Sequence, residues 1–144
     1  MRQIKYILIK ESLPENNSSV PRIRHDRKCG YNYIVNSEGV VRNPIDIRHV
    51  GAIFPEETLD QRHYKISSIG ILYNGSFADE FKQPKFDEPA EPLTPQHRAL
   101  IDLIVHLRMH FPEAKILGVS EIDGKSIKPD VYMNRLRREL SEKP

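Results

Sequence analysis

The stretch LTPQHRALIDLIVHLRMHFPEAKILG, from Leu93 to Gly118, predicts a long helix followed at once by a buried strand. Thr94 suits an N-cap, because its hydroxyl can accept a hydrogen bond from the first turn, and Pro95 suits the first helical position. Pro112 ends the helix, and the apolar run from Ala114 to Val119 is typical of a strand. Apolar residues recur along one helical face, at Leu100, Ile101, Leu103, Ile104, Leu107 and Phe111.

Outward from this stretch, three segments rich in β-branched and aromatic residues predict further strands: Gln3 to Lys10, Tyr31 to Asn36 and Ile66 to Tyr73. A turn at Ser37-Glu38-Gly39 returns the second of these into Val40 to Arg42, which predicts a hairpin. The intervening segments, 11–21, 54–65 and 74–92, carry the Pro, Asn, Ser and charged residues of loops.

The charged tail from Pro129 to Leu140 carries Val131, Leu136 and Leu140, which predicts a second helix. Strands separated by a hairpin, long loops and helices indicate an α/β fold, a mixed β-sheet flanked by helices. At 144 residues, the chain is predicted to form a single domain over residues 1–144.

Composition excludes several classes of protein. The apolar fraction is 38% and the mean hydropathy is −0.55, with no run near the roughly 20 apolar residues that a membrane span needs. The start, MRQIKYILIK, lacks the long apolar region and cleavage site of a signal peptide. We therefore expect no membrane partner, and a cytoplasmic location or release by lysis.

The cysteine count and the charge balance exclude further classes of protein. A single cysteine, Cys29, excludes an internal disulfide and a Cys-rich zinc module, and is typical of a small buried residue. The 22 basic and 20 acidic residues give a net charge of +2, and much of the excess lies at Arg22 to Lys28 and Arg135 to Arg138. A nucleic-acid binder usually has a larger surplus with interleaved aromatics, so we predict no nucleic-acid partner.

Three stretches, in this order, resemble the peptidoglycan amidases (N-acetylmuramoyl-L-alanine amidases). GYNYIV at 30–35 with EG at 38–39 resembles the family's GYHYVI and DG. The second stretch consists of VGA at 50–52, SIGI at 68–71 and Gly75. It resembles the family's VGAH and SIGI motifs and the glycine that follows them. LTPQ at 93–96 with FPEAKILG at 111–118 resembles TPAQ and YPxAKIxGH. The resemblance extends from Lys5 to Leu140 and implies a peptidoglycan-amidase-like fold, with peptidoglycan or muropeptides as the ligand.

In that family, a zinc ion held by three protein ligands activates the water that cleaves the amide between N-acetylmuramic acid and L-alanine. The corresponding positions here are Lys10 in ILIKES, Val119 in LGVSE and Ser126 in KSIKPDV. The histidine expected after Gly51-Ala52 is also replaced, by Ile53. The resemblance therefore implies a chain that has lost the zinc site of active relatives and needs no cofactor.

Other residues remain candidates for a site. Tyr31 stands at a family position associated with catalysis, although a sheet tyrosine is an equally good interpretation. Loop residues that we expect to border the old cleft could form a polar pocket for a glycan or peptide, or could be unrelated polar residues. They are His49, His63, Tyr64, Lys65, Glu121, Asp123 and Lys125.

Two alternative chemistries have weaker support. Asp102, His106 and His110 follow one face of the long helix at spacings that could hold a metal, but this face lies opposite the apolar stripe and is typical of a solvated surface. A nucleophilic serine is not indicated, because Ser67, Ser68 and Ser120 lie in no GxSxG motif.

Three hypotheses remain open. The first is an amidase-fold protein without catalytic activity that binds peptidoglycan fragments or a protein partner in the old cleft. The second is an active amidase with relocated zinc ligands, such as His25, His49 or His63. The third is an interaction protein of a phage or mobile element that retains only the scaffold. Fold by itself does not choose among them.

Overall fold

The computed structural model describes residues 3–11, 31–49, 64, 66–75, 94–123, 126–127 and 131–142. Five strands form one sheet in the order β3-β2-β4-β1-β5. Neighbouring strands are parallel, except that β3 is antiparallel to β2, so the predicted mixed sheet is confirmed. The strands are β1 (Tyr6–Glu11), β2 (Tyr33–Val35), β3 (Val41–Arg42), β4 (Ser68–Tyr73) and β5 (Lys115–Gly118).

Both predicted helices are present, as α1 (Pro95–His110) and α2 (Val131–Glu142). A 3-10 turn follows β5 at Val119–Glu121 and leads into a small antiparallel pair, β6 (Ile122–Asp123) and β7 (Ser126–Ile127), which the sequence did not predict. Within the described ranges, no helix is long and apolar enough to cross a membrane.

The sheet has two differently covered sides. The side packed by α1 and α2, here called the helix face, buries the main core. The other side, here called the opposite face, buries a smaller cluster. Strand alternation assigns Ile7 and Ile9 to the helix face and Leu8 to the opposite face. The opposite-face cluster consists of Leu8, Tyr31, Ile34, Tyr64, Leu72, Leu117 and Ile122.

Polar residues in the first turn of α1 cap this helix and bond it to the end of β4 and to α2. Thr94 Oγ1 accepts from the His97 amide (3.1 Å), which confirms the predicted N-cap. Gln96 Nε2 donates to the Asn74 carbonyl oxygen (2.6 Å) just beyond the end of β4. His97 Nε2 lies 2.8 Å from Glu139 Oε2 and so joins α1 to α2. The TPQH sequence therefore has a structural explanation residue by residue.

Two glycines permit close packing around these helices. Gly39 has φ +84°, and a Cβ there would lie 2.8 Å from the Pro95 carbonyl oxygen, so the hairpin turn rests directly on the start of α1. A Cβ on Gly118 would lie 2.9 Å from Met133 Cγ, because α2 crosses the end of β5 closely. Both glycines belong to stretches that resemble the amidases, and both are required by packing.

Candidate functional site

The carboxyl ends of β1 and β5 lie side by side. The β1–β5 pairing ends at Ile9 and Gly118, and the residues that follow are Lys10, still on β1, and Val119, the first residue of the 3-10 turn. On its other side Lys10 pairs with Leu72, which in turn pairs with Ile34. These four residues form a row across the opposite face, here called the Lys10 row. Ligand sites of open parallel sheets commonly lie at this end of the strands.

The Lys10 row offers little to a metal ion. A lysine ammonium is a donor with no lone pair, and valine has no ligand atom. Among the described residues, no three His, Cys, Asp or Glu side chains are grouped so that they could hold a metal. Ser126 lies on β7, where it pairs with Asp123. The absence of zinc remains a prediction, because His25, Ile53 and His63 lie outside the described residues.

Two tyrosines predicted as site residues lie inside the opposite-face cluster. Tyr31 is 2% exposed and Tyr64 is 6% exposed. The Tyr64 ring packs against Tyr6, with ring centroids 5.2 Å apart and planes tilted by 54°. Both aromatic rings thus form part of the apolar layer on the face that carries the Lys10 row.

Glu121, which the sequence predicts as a pocket residue, is fully buried. Its Oε1 accepts hydrogen bonds from the Gly118 amide (2.8 Å) and from Arg137 Nη2. Arg137 Nε also donates to the Ile116 carbonyl oxygen (3.0 Å). Because β5 is an edge strand, this ion pair covers backbone groups that would otherwise face solvent or another strand. The carboxylate therefore has a structural role that its position in the sequence did not reveal.

Asn32 organises the segment that carries His49, and the sequence reasoning missed it. Its Nδ2 donates to the carbonyl oxygens of Ile45 (3.2 Å), Asp46 (3.2 Å) and His49 (3.1 Å), while Oδ1 accepts from the Gly70 amide (3.0 Å). The backbone of His49 is thereby anchored to Asn32, the residue just before β2. The available signal in the sequence was a polar amide, Asn32, within a run of strand-forming residues.

The same segment contains an exposed charge pair. Asp46 accepts hydrogen bonds from the Arg48 amide (2.8 Å) and from Arg48 Nε (3.1 Å). The hydrogen bond from the Arg48 guanidinium lowers the pKa of Asp46, and the same contact raises the pKa of Arg48. Burial, with a smaller contribution from Asp46, raises the pKa of the Tyr33 hydroxyl.

The alternative metal group on α1 is only partly assembled. Asp102, His106 and His110 are all exposed, as the helical pattern predicted. The His106 and His110 rings lie edge to face with centroids 5.2 Å apart. Within the described part of the chain Asp102 does not complete a three-residue metal group with them. Among the remaining candidates, Cys29, Lys65 and Lys125 lie outside the described residues, so their assignments stay predictions.

Comparison with known proteins supports the fold seen here. The fold is similar to that of the N-acetylmuramoyl-L-alanine amidase LysC from Clostridium intestinale URNW, with a TM-score of 0.57 and 14% identity over 96% of this chain and 87% of LysC. It is also similar to the Ph2119 endolysin from Thermus scotoductus MAT2119 bacteriophage Ph2119, with a TM-score of 0.62 and 19% identity over 99% of this chain and 88% of the endolysin.

No protein-family model matches the sequence, and no curated protein matches it either. The likeness is therefore one of structure. The chain has the α/β fold shared by this amidase and this phage endolysin, which confirms the predicted fold and the predicted resemblance.

Proposed function

We propose that this chain is an amidase-fold protein without amidase activity that binds peptidoglycan fragments at the carboxyl ends of β1 and β5. The observation that carries the proposal is the Lys10 row, where Lys10 stands beside Val119. Zinc hydrolases of amides need three ligands with lone pairs and one open position, and neither of these side chains supplies a ligand. Hydrolysis by that chemistry is therefore not expected here.

Binding is the function that this proposal assigns to the scaffold, whose helix face is held together by contacts between protein groups. The Thr94 cap, the Gln96 hydrogen bond and the His97–Glu139 contact hold the helix face together without any metal. Peptidoglycan is the ligand class suggested by the names of the similar proteins, one an N-acetylmuramoyl-L-alanine amidase and the other an endolysin. The proposed function requires no cofactor and no nucleic acid.

Metal content and zinc titration by calorimetry test the loss of catalysis. The exposed His106–His110 pair is the place where adventitious zinc would bind, so H106Q/H110Q is the matched control. We expect no zinc in the purified protein, and any weak heat of zinc binding to disappear in the control variant. Near one zinc per chain, retained in H106Q/H110Q, would overturn the proposal and favour an amidase with relocated ligands such as His25, His49 or His63.

Ligand binding is the second half of the test. The wild-type protein is titrated with a soluble muropeptide and followed by NMR, and the same mixture is analysed for released peptide. We expect shifts for residues of the Lys10 row and no cleavage. Cleavage would establish an active amidase. If millimolar ligand causes no shifts, the remaining hypothesis is the interaction protein that retains only the scaffold.

A further inference from the structure

Lys10 is the one charged side chain in an otherwise apolar row. Its partners in the Lys10 row are Ile34, Leu72 and Val119, and the first two of these are almost fully buried. Lys10 itself is half-buried. The methylene stem of a lysine can cover apolar neighbours. Partial removal of its ammonium from water costs free energy unless an anion or another hydrogen-bond acceptor contacts it.

No carboxylate in the described part of the chain serves as that partner. The Lys10 side chain forms no hydrogen bond or ion pair with described residues. Glu11 follows it on β1 and, by strand alternation, points to the helix face. Glu121 lies close along the chain to Val119, but its carboxylate is buried against Arg137 and the Gly118 amide. With respect to the described residues, the positive charge of Lys10 is therefore available to a ligand.

We propose that the Lys10 ammonium binds a carboxylate of the ligand, and so supplies in this chain the positive charge of the site. This inference rests on the proposed function, because the stem peptides of peptidoglycan carry free carboxylates. An ammonium is a compact point charge with three donors, and charge-assisted hydrogen bonds to carboxylates are stronger than neutral ones. The site thereby selects acidic peptides over amidated ones without performing chemistry on them.

A matched pair of ligands tests the inference. A muramoyl dipeptide with free carboxylates and the same compound with its carboxylates amidated are titrated into wild type, Lys10→Met and Lys10→Arg, with NMR detection. Wild type is expected to bind the acid about tenfold more tightly than the amide, which corresponds to about 1.4 kcal/mol. Lys10→Met should bind both compounds alike, at the affinity of the amide, and Lys10→Arg should keep part of the preference.

Lys115→Met is the control, since Lys115 is an exposed lysine at the other end of β5. It should retain the full preference for the acid. The preference of wild type should also shrink as salt is added, a change that a purely structural role for Lys10 would not produce.

The possible failures are distinguishable. Equal binding of acid and amide by wild type, or an unchanged preference in a folded Lys10→Met, would overturn the role of Lys10 and leave the proposed function standing. Binding of neither compound by wild type would overturn the proposed function together with this inference.

Discussion

The helix face and the opposite face of the sheet differ in what their polar residues do. On the helix face, Thr94, Gln96 and His97 each bond to a specific neighbour, and these contacts fix α1. On the opposite face, the Lys10 row places a lysine among apolar residues with no described partner. Within the described residues, the named polar groups of the first face are all paired, while the Lys10 ammonium of the second face is not.

This difference explains why the resemblance to amidases is strong in some stretches and absent in others. Residues that bond or pack on the helix face are constrained by the fold, so they keep the pattern whether or not catalysis occurs. Under the proposed function, residues at the carboxyl ends of β1 and β5 are constrained by the ligand instead. A substitution such as Lys10 is therefore informative about function, whereas the retained LTPQ stretch is informative about folding.

The largest loss of stability is expected from a substitution on the helix face. Leu100→Ala removes a fully buried side chain from the core between α1 and the sheet, and should lower the free energy of unfolding by about 4 kcal/mol. Val105→Ala, at a position 40% exposed on the same helix, should change it by less than about 0.5 kcal/mol. Chemical denaturation measures both, and similar losses in the two variants would contradict the assignment of the helix face.

The contact between Glu121 and Arg137 joins α2 to the end of β5, next to the Lys10 row. Arg137→Met leaves the buried Glu121 carboxylate without its cation, and should cost about 3 kcal/mol. Adding Glu121→Gln removes the buried charge, so the double variant should be more stable than Arg137→Met alone. Denaturant unfolding of the complete double-mutant cycle measures this coupling, and additive losses would show that the two residues act independently.

A gain in stability is expected when the charge of the Lys10 row is removed. Lys10→Met places an apolar side chain beside Leu72 and Val119, and should raise the free energy of unfolding by about 0.5–1 kcal/mol. Lys115→Met, at an exposed lysine, should change it by less than about 0.5 kcal/mol. If Lys10→Met instead destabilises the protein by more than about 1 kcal/mol, Lys10 has a structural role and the contrast between the two faces fails.

The smallest effect concerns pH. Arg48 holds the pKa of Asp46 below its ordinary value, so the pair stabilises the fold above the pKa of the unfolded chain. That contribution is lost as pH falls through the lower, folded-state pKa. NMR titration should give Asp46 a midpoint below that of an ordinary aspartate, and Arg48→Gln should raise it. An unchanged midpoint in Arg48→Gln would show that the hydrogen bond does not persist in solution.

Local signals predicted much of the fold. The N-cap at Thr94, Pro95 and the apolar spacing predicted α1 almost to its observed end at His110, because caps and helical periodicity are properties of neighbouring residues. Strand limits were less accurate. The first strand was predicted over Gln3 to Lys10 but spans Tyr6–Glu11, because its ends depend on where β4 and β5 run beside it.

At the candidate site, too, the features that the sequence did not predict depend on contacts between distant segments. Glu121 was predicted to line a pocket, and its burial against Arg137 depends on a helix that follows later in the chain. Asn32 drew no attention in the sequence, because its importance lies in four backbone groups from other segments. Tyr64 was predicted to be a loop residue at the cleft, and packing against Tyr6 places it in the opposite-face cluster instead.

The sequence by itself determined the elements and the chemistry of single positions: a lysine ammonium or a valine offers no lone pair to a zinc ion. Only the tertiary structure decided that Lys10 and Val119 stand side by side, that they share a row with Leu72, and that the nearby Glu121 is already paired. The physical reason is that helix caps and periodicity act over a few residues, whereas parallel strand pairing and buried ion pairs join segments that are far apart in the chain.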